Sequence, residues 1–325
     1  MFFVEKFPVF LYNNGNLTDI NTEDITMANV KELLKGGYDL HVHSAPDCLP
    51  RKMDDIDMAK RITDSTLSGY AIKNHWTSTA GRAQLINKMF PQCDAVGTIT
   101  LNSAVGGLNP TAVEMAARGG VKLVWFPTCD NEHEMAYQFD GNPNKKRAFW
   151  ASIILEMREE GIQTPTINCL DEKGELKKEV LDILDIIARY DMILATGHIS
   201  HEEAYKLVPE AAKRGVKKIV ITHVSFPTTY YSVEDQKMFV SYGAKCEHCY
   251  TTWKTGKAEF DTIAEMIREV GAENCIIGTD LGNTKLCYPD EGMEEFAQKL
   301  LDAGFSEKDI TDMAVTNPRW LLGKE

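Results

Sequence analysis

The sequence predicts an α/β protein in which eight parallel strands and their helices close into a (β/α)8 barrel, or TIM barrel. Eight short apolar segments alternate with amphipathic helical segments along the 325 residues. Strands that alternate with helices build parallel sheets, and eight such units close on themselves. A doubly wound open sheet is the alternative, but no Gly-x-Gly-x-x-Gly pattern follows the first strand, which disfavours that fold.

Residues 1–37 form an N-terminal extension, and residues 38–325 form the barrel. The extension ends in a short helix at 27–35, which the two glycines at 36–37 terminate. The barrel strands are expected at 38–44, 70–75, 95–101, 121–127, 192–198, 218–224, 244–250 and 275–280.

The helices between the strands show apolar residues at helical spacing and recognisable capping residues. Ser200 and Glu203 form a capping box at the start of the helix that follows the fifth strand. The inner stripe of the helix at 54–67 consists of Ile56, Ala59, Ile62 and Thr66.

A long insertion separates the fourth strand from the fifth. It covers residues 128–190, far more than a usual crossover. Long segments at the carboxyl end of a barrel often cover the active site, so we expect a lid here. The insertion is predicted to contain a polar loop at 130–147, a helix at 148–159, a short strand at 162–167 and a helix at 177–189.

Composition excludes several classes of partner. The formal net charge of −13 argues against nucleic acid or an anionic membrane, although a locally basic pocket remains compatible with a small anionic substrate. The sequence shows no basic leader followed by an apolar run, and nothing approaches about eighteen consecutive apolar residues. The eight cysteines are scattered in apolar runs, which is typical of free thiols in a reducing compartment. We therefore expect a cytoplasmic protein.

Polar side chains lie at the carboxyl ends of the predicted strands, where parallel barrels build their active sites. In the first strand, alternation places Asp39, His41 and His43 on one face, opposite Leu40 and Val42. Histidines scattered through a core would not choose strand ends so consistently. The residues at strand ends are His41, His43, His75, His198, His223 and Asp280.

Imidazole and carboxylate ligands together suit a divalent metal, zinc first, with manganese or iron as alternatives. A metal with an open coordination position lowers the pKa of bound water to about 7. A neighbouring carboxylate can take the proton from that water and pass it to the leaving group.

These strand ends resemble the amidohydrolase superfamily of metal-dependent hydrolases, near its phosphotriesterase-like and lactonase-like members. The matching segments are Asp39-Leu40-His41-Val42-His43, Ala195-Thr196-Gly197-His198-Ile199-Ser200, Ile221-Thr222-His223, Gly278-Thr279-Asp280 and Asn317-Pro318-Arg319-Trp320-Leu321-Leu322-Gly323. By this resemblance His41, His43 and Asp280 hold one metal. His198 and His223 hold a second, or His223 contacts the substrate in catalysis, and Asp280 is also the general base.

The sequence departs from the superfamily at the end of the fourth strand. Binuclear members usually bridge their metals there with a carboxylated lysine or a glutamate. Here residues 125–130 read Trp-Phe-Pro-Thr-Cys-Asp, and Lys122 lies at the wrong end of the strand. Lys73 has three interpretations: a carboxylated bridge between metals, an ammonium that binds an anionic substrate, or a salt-bridged structural lysine. Cys129 and Asp130 are further candidates for a bridge, so the count stays at one or two metals per chain.

Other residues are candidates for the substrate side of the site. His75, Arg51 and Arg82 are predicted to bind substrate, the arginines by clamping a carboxylate or phosphate, although surface arginines are common. The segment 246–249, Cys-Glu-His-Cys, has its cysteines on opposite strand faces and no second cysteine pair at zinc-site spacing. Glu247 or His248, whichever faces inward, is expected to line the pocket.

The sequence thus predicts a metal-dependent hydrolase that cleaves an amide, lactam, lactone or ester of a small molecule. A decarboxylase with a single metal is one alternative, because the usual bridge is missing. A barrel that binds a ligand without catalysis is the other. A homo-oligomer is compatible with the resemblance.

Overall fold

The computed structural model describes residues 10–13, 16–19, 29–142, 144–163 and 165–324. In the N-terminal extension, strands β1 (Phe10–Asn13) and β2 (Asn16–Asp19) form an antiparallel pair that the sequence did not predict. The predicted helix at 27–35 forms over 29–33 as α1, and its first two residues lie outside the described ones.

Eight parallel strands follow and confirm the predicted (β/α)8 barrel. Each strand pairs with the next in sequence. The last strand closes onto the first through the Asp280 amide, which donates to the His41 carbonyl at 2.8 Å, and the His43 amide, which donates to the Leu281 carbonyl at 2.7 Å. The strands are β3 (Tyr38–Val42), β4 (Gly69–Ile72), β5 (Asp94–Thr100), β6 (Leu123–Trp125), β7 (Ile193–Ala195), β8 (Lys218–Ile221), β9 (Ala244–Cys249) and β10 (Cys275–Gly278).

Helices cover the outside of the barrel. They are α2 (Asp55–Asp64), α3 (Ala80–Met89), α4 (Pro110–Arg118), α5 (Glu132–Gln138), α6 (Ala151–Glu159), α7 (Lys178–Arg189), α8 (His201–Lys213), α9 (Val233–Ser241), α10 (Tyr250–Lys254), α11 (Phe260–Val270), α12 (Pro289–Asp302), α13 (Glu307–Thr311) and α14 (Asn317–Leu322). The predicted capping box of Ser200 and Glu203 is present in α8. None of the described helices is long and apolar enough to cross a membrane.

The stripe predicted for α2 was partly wrong. Ala59 and Ile62 are buried, but Ile56 is 39% exposed, and Met58 takes its place against the barrel. The predicted inner position of Thr66 lies beyond the end of the helix, since α2 stops at Asp64. Asp55 is also buried in the first turn, where it pairs with an arginine described below.

The interior of the barrel is filled by apolar side chains at its amino end. Leu321 and Leu322 of α14 pack with Tyr38, the first residue of β3, and close this end. Asn317 Nδ2 donates to the Cys275 carbonyl at 2.7 Å and fixes α14 to β10. With the amino end closed, the barrel can admit a ligand only at the carboxyl end of its strands.

The predicted alternation of β3 is broken by a bulge. The pairing of β3 with β4 shifts register between Asp39 and Val42. Leu40 therefore packs in the inner cluster, whereas Val42 packs in the layer between strands and helices. The bulge lets one short strand supply both an apolar floor and the imidazole of His41 above it.

The insertion between β6 and β7 contains more helix than predicted. The polar loop expected at 130–147 begins with α5, which Asn131 caps by accepting from the His133 amide at 2.9 Å. The strand expected at 162–167 is reduced to a single bridge between Asn131 and Ile167. The two predicted helices form as α6 and α7.

Candidate metal centre

The side chains of the site stand at or just past the carboxyl ends of the strands. His223 and Asp280 have φ angles of 25° and 53°, values that residues with a side chain rarely adopt. Such backbone strain is concentrated at functional sites. Gly197 has φ 67°, and a Cβ there would lie 2.3 Å from the Phe126 carbonyl oxygen, so the turn that presents His198 requires glycine.

Three of the predicted ligands converge on one point. His41 Nε2 lies 3.1 Å from Asp280 Oδ1, and His43 Nε2 lies 3.2 Å from the same oxygen. Ligand atoms bound at about 2.0–2.1 Å to a tetrahedral zinc are separated by about 3.3 Å. The spacing of these three atoms therefore fits a shared divalent metal.

A second pair of imidazoles faces the same space. His198 Nε2 lies 3.1 Å from His223 Nε2. Two ring nitrogens at this distance require either a proton between them or a cation in front of both. The structure thus brings together the two histidines that the superfamily resemblance assigns to a second metal.

Hydrogen bonds to the outer ring nitrogens orient the imidazoles. A metal-binding histidine usually has its other nitrogen held by a carboxylate, carbonyl or hydroxyl group, which fixes the tautomer. The hydrogen bonds here are His41 Nδ1 to both Glu247 carboxylate oxygens at 3.1 Å, His75 Nδ1 to Thr128 Oγ1 at 2.8 Å and His223 Nδ1 to Thr229 Oγ1 at 2.7 Å. His198 Nδ1 lies 3.5 Å from Glu134 Oε2, within ion-pair distance but without a hydrogen bond. These contacts leave the Nε2 atoms of the rings available to a metal.

Burial decides most protonation states in the cluster. Burial, with the nearby Arg51 guanidinium, holds the pKa of His43 well below its usual value. Burial and neighbouring positive groups do the same to the pKa of His75 and of His223, and burial lowers that of His198. These four rings are neutral near pH 7, which is the form that binds a metal.

His41 and Asp280 each stabilise the charged form of the other. Burial and the Lys73 ammonium lower the pKa of His41, but the carboxylates of Glu247 and Asp280 outweigh them and raise it. Burial raises the pKa of Asp280, but the imidazoles of His41 and His43 hold it well below its usual value. The Asp280 carboxylate is therefore ionised, and Thr251 Oγ1 donates to its second oxygen at 2.9 Å.

Lys73 lies in the centre of the site. Its Nζ is 2.8 Å from His41 Nε2 and 4.0 Å from the centroid of the Trp125 ring. Burial lowers the pKa of this ammonium, against the opposing effect of the Asp280 and Glu247 carboxylates. The interpretation of Lys73 as a salt-bridged structural lysine finds no ion-pair partner among the described residues.

A cavity of about 720 Å³ opens above these groups. His43, Lys73, His75, His198, His223 and Asp280 form part of its wall. Arg51 also lines it, with Nη2 at 3.4 Å from His43 Nδ1 and an ion pair to Asp47 at 2.8 Å. The volume is within the range of small-molecule binding sites.

Several candidates lie away from the cavity wall. Arg82 donates to both Asp55 oxygens at 2.7 and 2.8 Å and to the carbonyls of Ser44 and Pro46, so it braces the loop after β3. Cys129 accepts from Asn102 Nδ2 at 3.2 Å, and Asp130 accepts from the Ser103 amide at 2.8 Å. His133 Nε2 contacts the Thr228 carbonyl at 2.9 Å.

The segment 246–249 divides between two layers. Glu247 and Cys249 face His41, with Cys249 Sγ 3.8 Å from His41 Nδ1, whereas Cys246 packs in the outer core. Burial raises the pKa of the Cys249 thiol well above its usual value, so it is a neutral neighbour of the imidazole. His248 is buried without a hydrogen-bond partner among the described residues. All eight cysteines are free thiols.

Two buried carboxylates of the site were not assigned a role from the sequence. Glu247 was named only as an alternative to His248, and Glu134 was not named at all. Glu134 comes from α5 in the insertion, where Gln138 Nε2 donates to its other oxygen at 2.8 Å. Nothing in the sequence marked Glu134 except its place in the first turn of α5, and that segment was predicted to be a loop.

The chain was compared with known proteins. The profile of a family of unknown function, DUF6282, matches residues 36–247. A search of curated proteins finds no match. Among solved structures, an amidohydrolase from Pseudomonas aeruginosa superposes with a TM-score of 0.58 at 14% identity, over 90% of this chain and 97% of that one.

Two further solved structures have the same architecture. A protein described as a probable dipeptidase from Pseudomonas aeruginosa gives a TM-score of 0.60 at 12% identity, over 92% of this chain and 98% of that one. A beta-aspartyl dipeptidase from Fervidobacterium islandicum gives a TM-score of 0.55 at 12% identity, over 88% of this chain and 72% of that one. These similarities show that the barrel shares its fold with these three structures.

Proposed function

The chain belongs to the family of unknown function DUF6282, and we propose that it is a metal-dependent hydrolase. One observation carries the proposal: His41 Nε2, His43 Nε2 and Asp280 Oδ1 converge at metal-ligand spacing, and His43 and Asp280 line a large cavity. The hydrolase names of the compared structures support the choice of hydrolysis.

A divalent metal, when bound, supplies a nucleophile at neutral pH and polarises the carbonyl oxygen of the substrate. His41, His43 and Asp280 would hold it, and His198 with His223 would hold a second ion or contact the substrate. Asp280 Oδ2, which Thr251 positions, is the oxygen that takes the proton from attacking water and returns it to the leaving group. Trp125 and the closed amino end of the barrel exclude bulk water from below.

The substrate class is an amide, lactam, lactone or ester of a small molecule. Zinc suits the imidazole and carboxylate ligands best, with manganese and iron as alternatives. Lys73 is the proposed bridge if two metals bind, because burial of its amine lowers the pKa and so favours the neutral form that becomes carboxylated. Eight free thiols support a reducing compartment, and we place the protein in the cytoplasm.

A decarboxylase with one metal is the second candidate. It is favoured because only one group of ligands at the cavity, His41 with His43 and Asp280, meets three-ligand spacing among the described residues. His198 and His223 alone supply two nitrogens.

Elemental analysis of protein purified without chelator or histidine tag tests both proposals. About two metals per chain support the binuclear hydrolase, and NMR of the intact protein supplied with isotope-labelled bicarbonate then tests the carbamate, whose signal Lys73→Arg should remove. About one supports the single-metal enzyme, and hydrolysis and decarboxylation assays separate the two reactions. No metal after reconstitution with zinc or manganese overturns the function.

A further inference from the structure

The cavity wall is strongly cationic. Of the described residues that line it, the only carboxylate is that of Asp280, which faces His41 and His43. Six side chains with basic groups line the same cavity: Arg51, Lys73, Lys146, Arg147, Lys257 and Lys285. In a chain with a net charge of −13, this local excess of positive charge needs an explanation.

The cations converge from separate loops. Arg51 follows β3, Lys146 and Arg147 lie between α5 and α6, Lys257 follows α10, and Lys285 follows β10. Segments that are far apart in sequence thus place like charges around one space. Like charges repel, and an anion that binds between them would relieve this repulsion.

Three of these lysines are not neutralised by the protein itself. Lys146, Lys257 and Lys285 form no ion pair with any carboxylate of the described residues. Lys257 Nζ instead lies 4.0 Å from the centroid of the Phe226 ring. Some surface lysines elsewhere are paired, for example Lys237 with Glu269 at 3.0 Å.

Apolar side chains complete the cavity between the cations and the metal centre. Leu49, Phe149, Trp150, Phe226 and Leu286 contribute to its wall. A ligand that satisfies both features has a compact apolar body and more than one negative charge. Its charges would lie toward the mouth, where Lys146 and Lys285 are exposed.

We propose that the substrate is a small organic anion with at least two negative charges, carried by carboxylate or phosphate groups on a compact apolar body. This inference rests on the proposed function, because only the hydrolase proposal says that a bond in the bound anion is cleaved. The binding of the anion itself depends only on the cavity.

Calorimetry at pH 8 tests the proposal with four probes: isophthalate, phenyl phosphate, benzoate and the neutral isophthalamide. We expect isophthalate or phenyl phosphate to bind about tenfold more tightly than benzoate, because each added charge-assisted hydrogen bond contributes about 1.5 kcal/mol or more. Isophthalamide should bind most weakly. Binding of the dianions should weaken as salt is raised from 50 to 300 mM. Whichever dianion binds more tightly identifies carboxylate or phosphate as the group recognised.

The variant Lys146→Gln/Lys285→Gln should lose about tenfold in dianion affinity and little in benzoate affinity. Lys217→Gln is the matched control, since Lys217 is exposed directly before β8, at the opposite end of the barrel. Lys257→Gln is a second variant of the cavity wall, and its dianion affinity is an independent test of the proposal. Dianion affinity equal to that of benzoate, or unchanged in both cavity variants, overturns the proposal. Metal content is measured separately on the same preparations, so a failure of the metal site is distinguished from a failure of anion binding.

Discussion

Glu247 holds the His41 ring from the side opposite the metal-binding nitrogen. Both of its oxygens lie 3.1 Å from His41 Nδ1, and one also accepts from the His223 amide at 3.0 Å. Carboxylates in this position orient a ligand histidine and raise its basicity. Glu247 is therefore a positioning residue for the metal centre.

Glu247→Gln keeps the size of the side chain and removes its charge. We expect metal affinity to fall about 10- to 100-fold, measured by competition with a chromophoric chelator, because His41 loses its orienting partner. Glu265→Gln, on the exposed face of α11, is the control and should leave the affinity unchanged. Circular dichroism verifies that both variants fold. An unchanged metal affinity in Glu247→Gln would show that the contact has no positioning role.

At this scale the sequence predicted the residues that converge at the proposed metal site but not the residues that support them. His41, His43 and Asp280 are found because strand ends meet at one edge of a parallel barrel, a rule that holds for the whole fold. Glu247 lies 206 residues from His41, and its inward direction depends on the register of β9. Arg82 was predicted to bind substrate but instead pairs with Asp55, and this partner could be identified only from the three-dimensional structure.

The buried carboxylate of Glu203 in α8 helps to fix the insertion to the barrel. It accepts from the Ser200 amide at 2.7 Å within the capping box and from the Cys169 amide at 2.7 Å. Asn131 Nδ2, at the start of α5, donates to it as well at 3.2 Å. Glu203 thus joins two segments of the lid, at Asn131 and Cys169, to the helix that follows β7.

Glu203→Ala should lower the free energy of unfolding by about 3 kcal/mol, since buried amide donors lose their acceptor. Urea denaturation measures this change. Limited proteolysis should also show faster cleavage between residues 131 and 169. The adjacent substitution Glu202→Ala is the control. Because Glu202 is exposed, this substitution should change neither the free energy of unfolding nor the rate of cleavage. Equal protease resistance in the two variants would contradict the role of Glu203 in fixing the lid.

The lid shows why local structure in an insertion is harder to predict than a barrel strand. Residues 162–167 have strand propensity, but the described part of this segment forms one bridge, between Ile167 and Asn131, rather than a ladder. The start of α5 is set by the Asn131 cap and by the contact of His133 with the Thr228 carbonyl. Such long-range contacts override the weak local signals.

For the whole molecule, the alternation of eight strands with helices along the sequence was sufficient to predict the closed barrel. Each strand pairs with its neighbour in sequence, so the topology needs no long-range information. Register was less predictable, because the bulge in β3 places Leu40 inside the barrel. The antiparallel pair in the extension, β1 with β2, has only four residues in each strand and was not predicted.

The cluster of buried neutral imidazoles makes the stability of the metal-free protein depend on pH. The pKa values of His43, His75 and His223 lie well below their unfolded values of about 6.5, because of burial first and of neighbouring positive groups second. Below pH 6.5 the unfolded chain binds protons that the folded chain does not, so stability falls as pH falls. Above about pH 7 these groups contribute no further change. His41, whose pKa is raised, has the opposite and smaller effect as a single group.

Urea denaturation in the presence of a chelator should therefore give a free energy of unfolding about 4 kcal/mol lower at pH 5 than at pH 7. The three histidines contribute about 2 kcal/mol each over this interval. Burial raises the pKa of Asp39 to about 7, and the proton that its folded carboxyl holds at pH 5 offsets about 2 kcal/mol. His75→Gln removes one of these groups and should reduce the difference by about 2 kcal/mol, whatever its effect on stability at pH 7. His201→Gln replaces an exposed histidine and should leave the difference intact. A pH dependence identical in the wild type and His75→Gln would show that His75 is protonated in the folded protein.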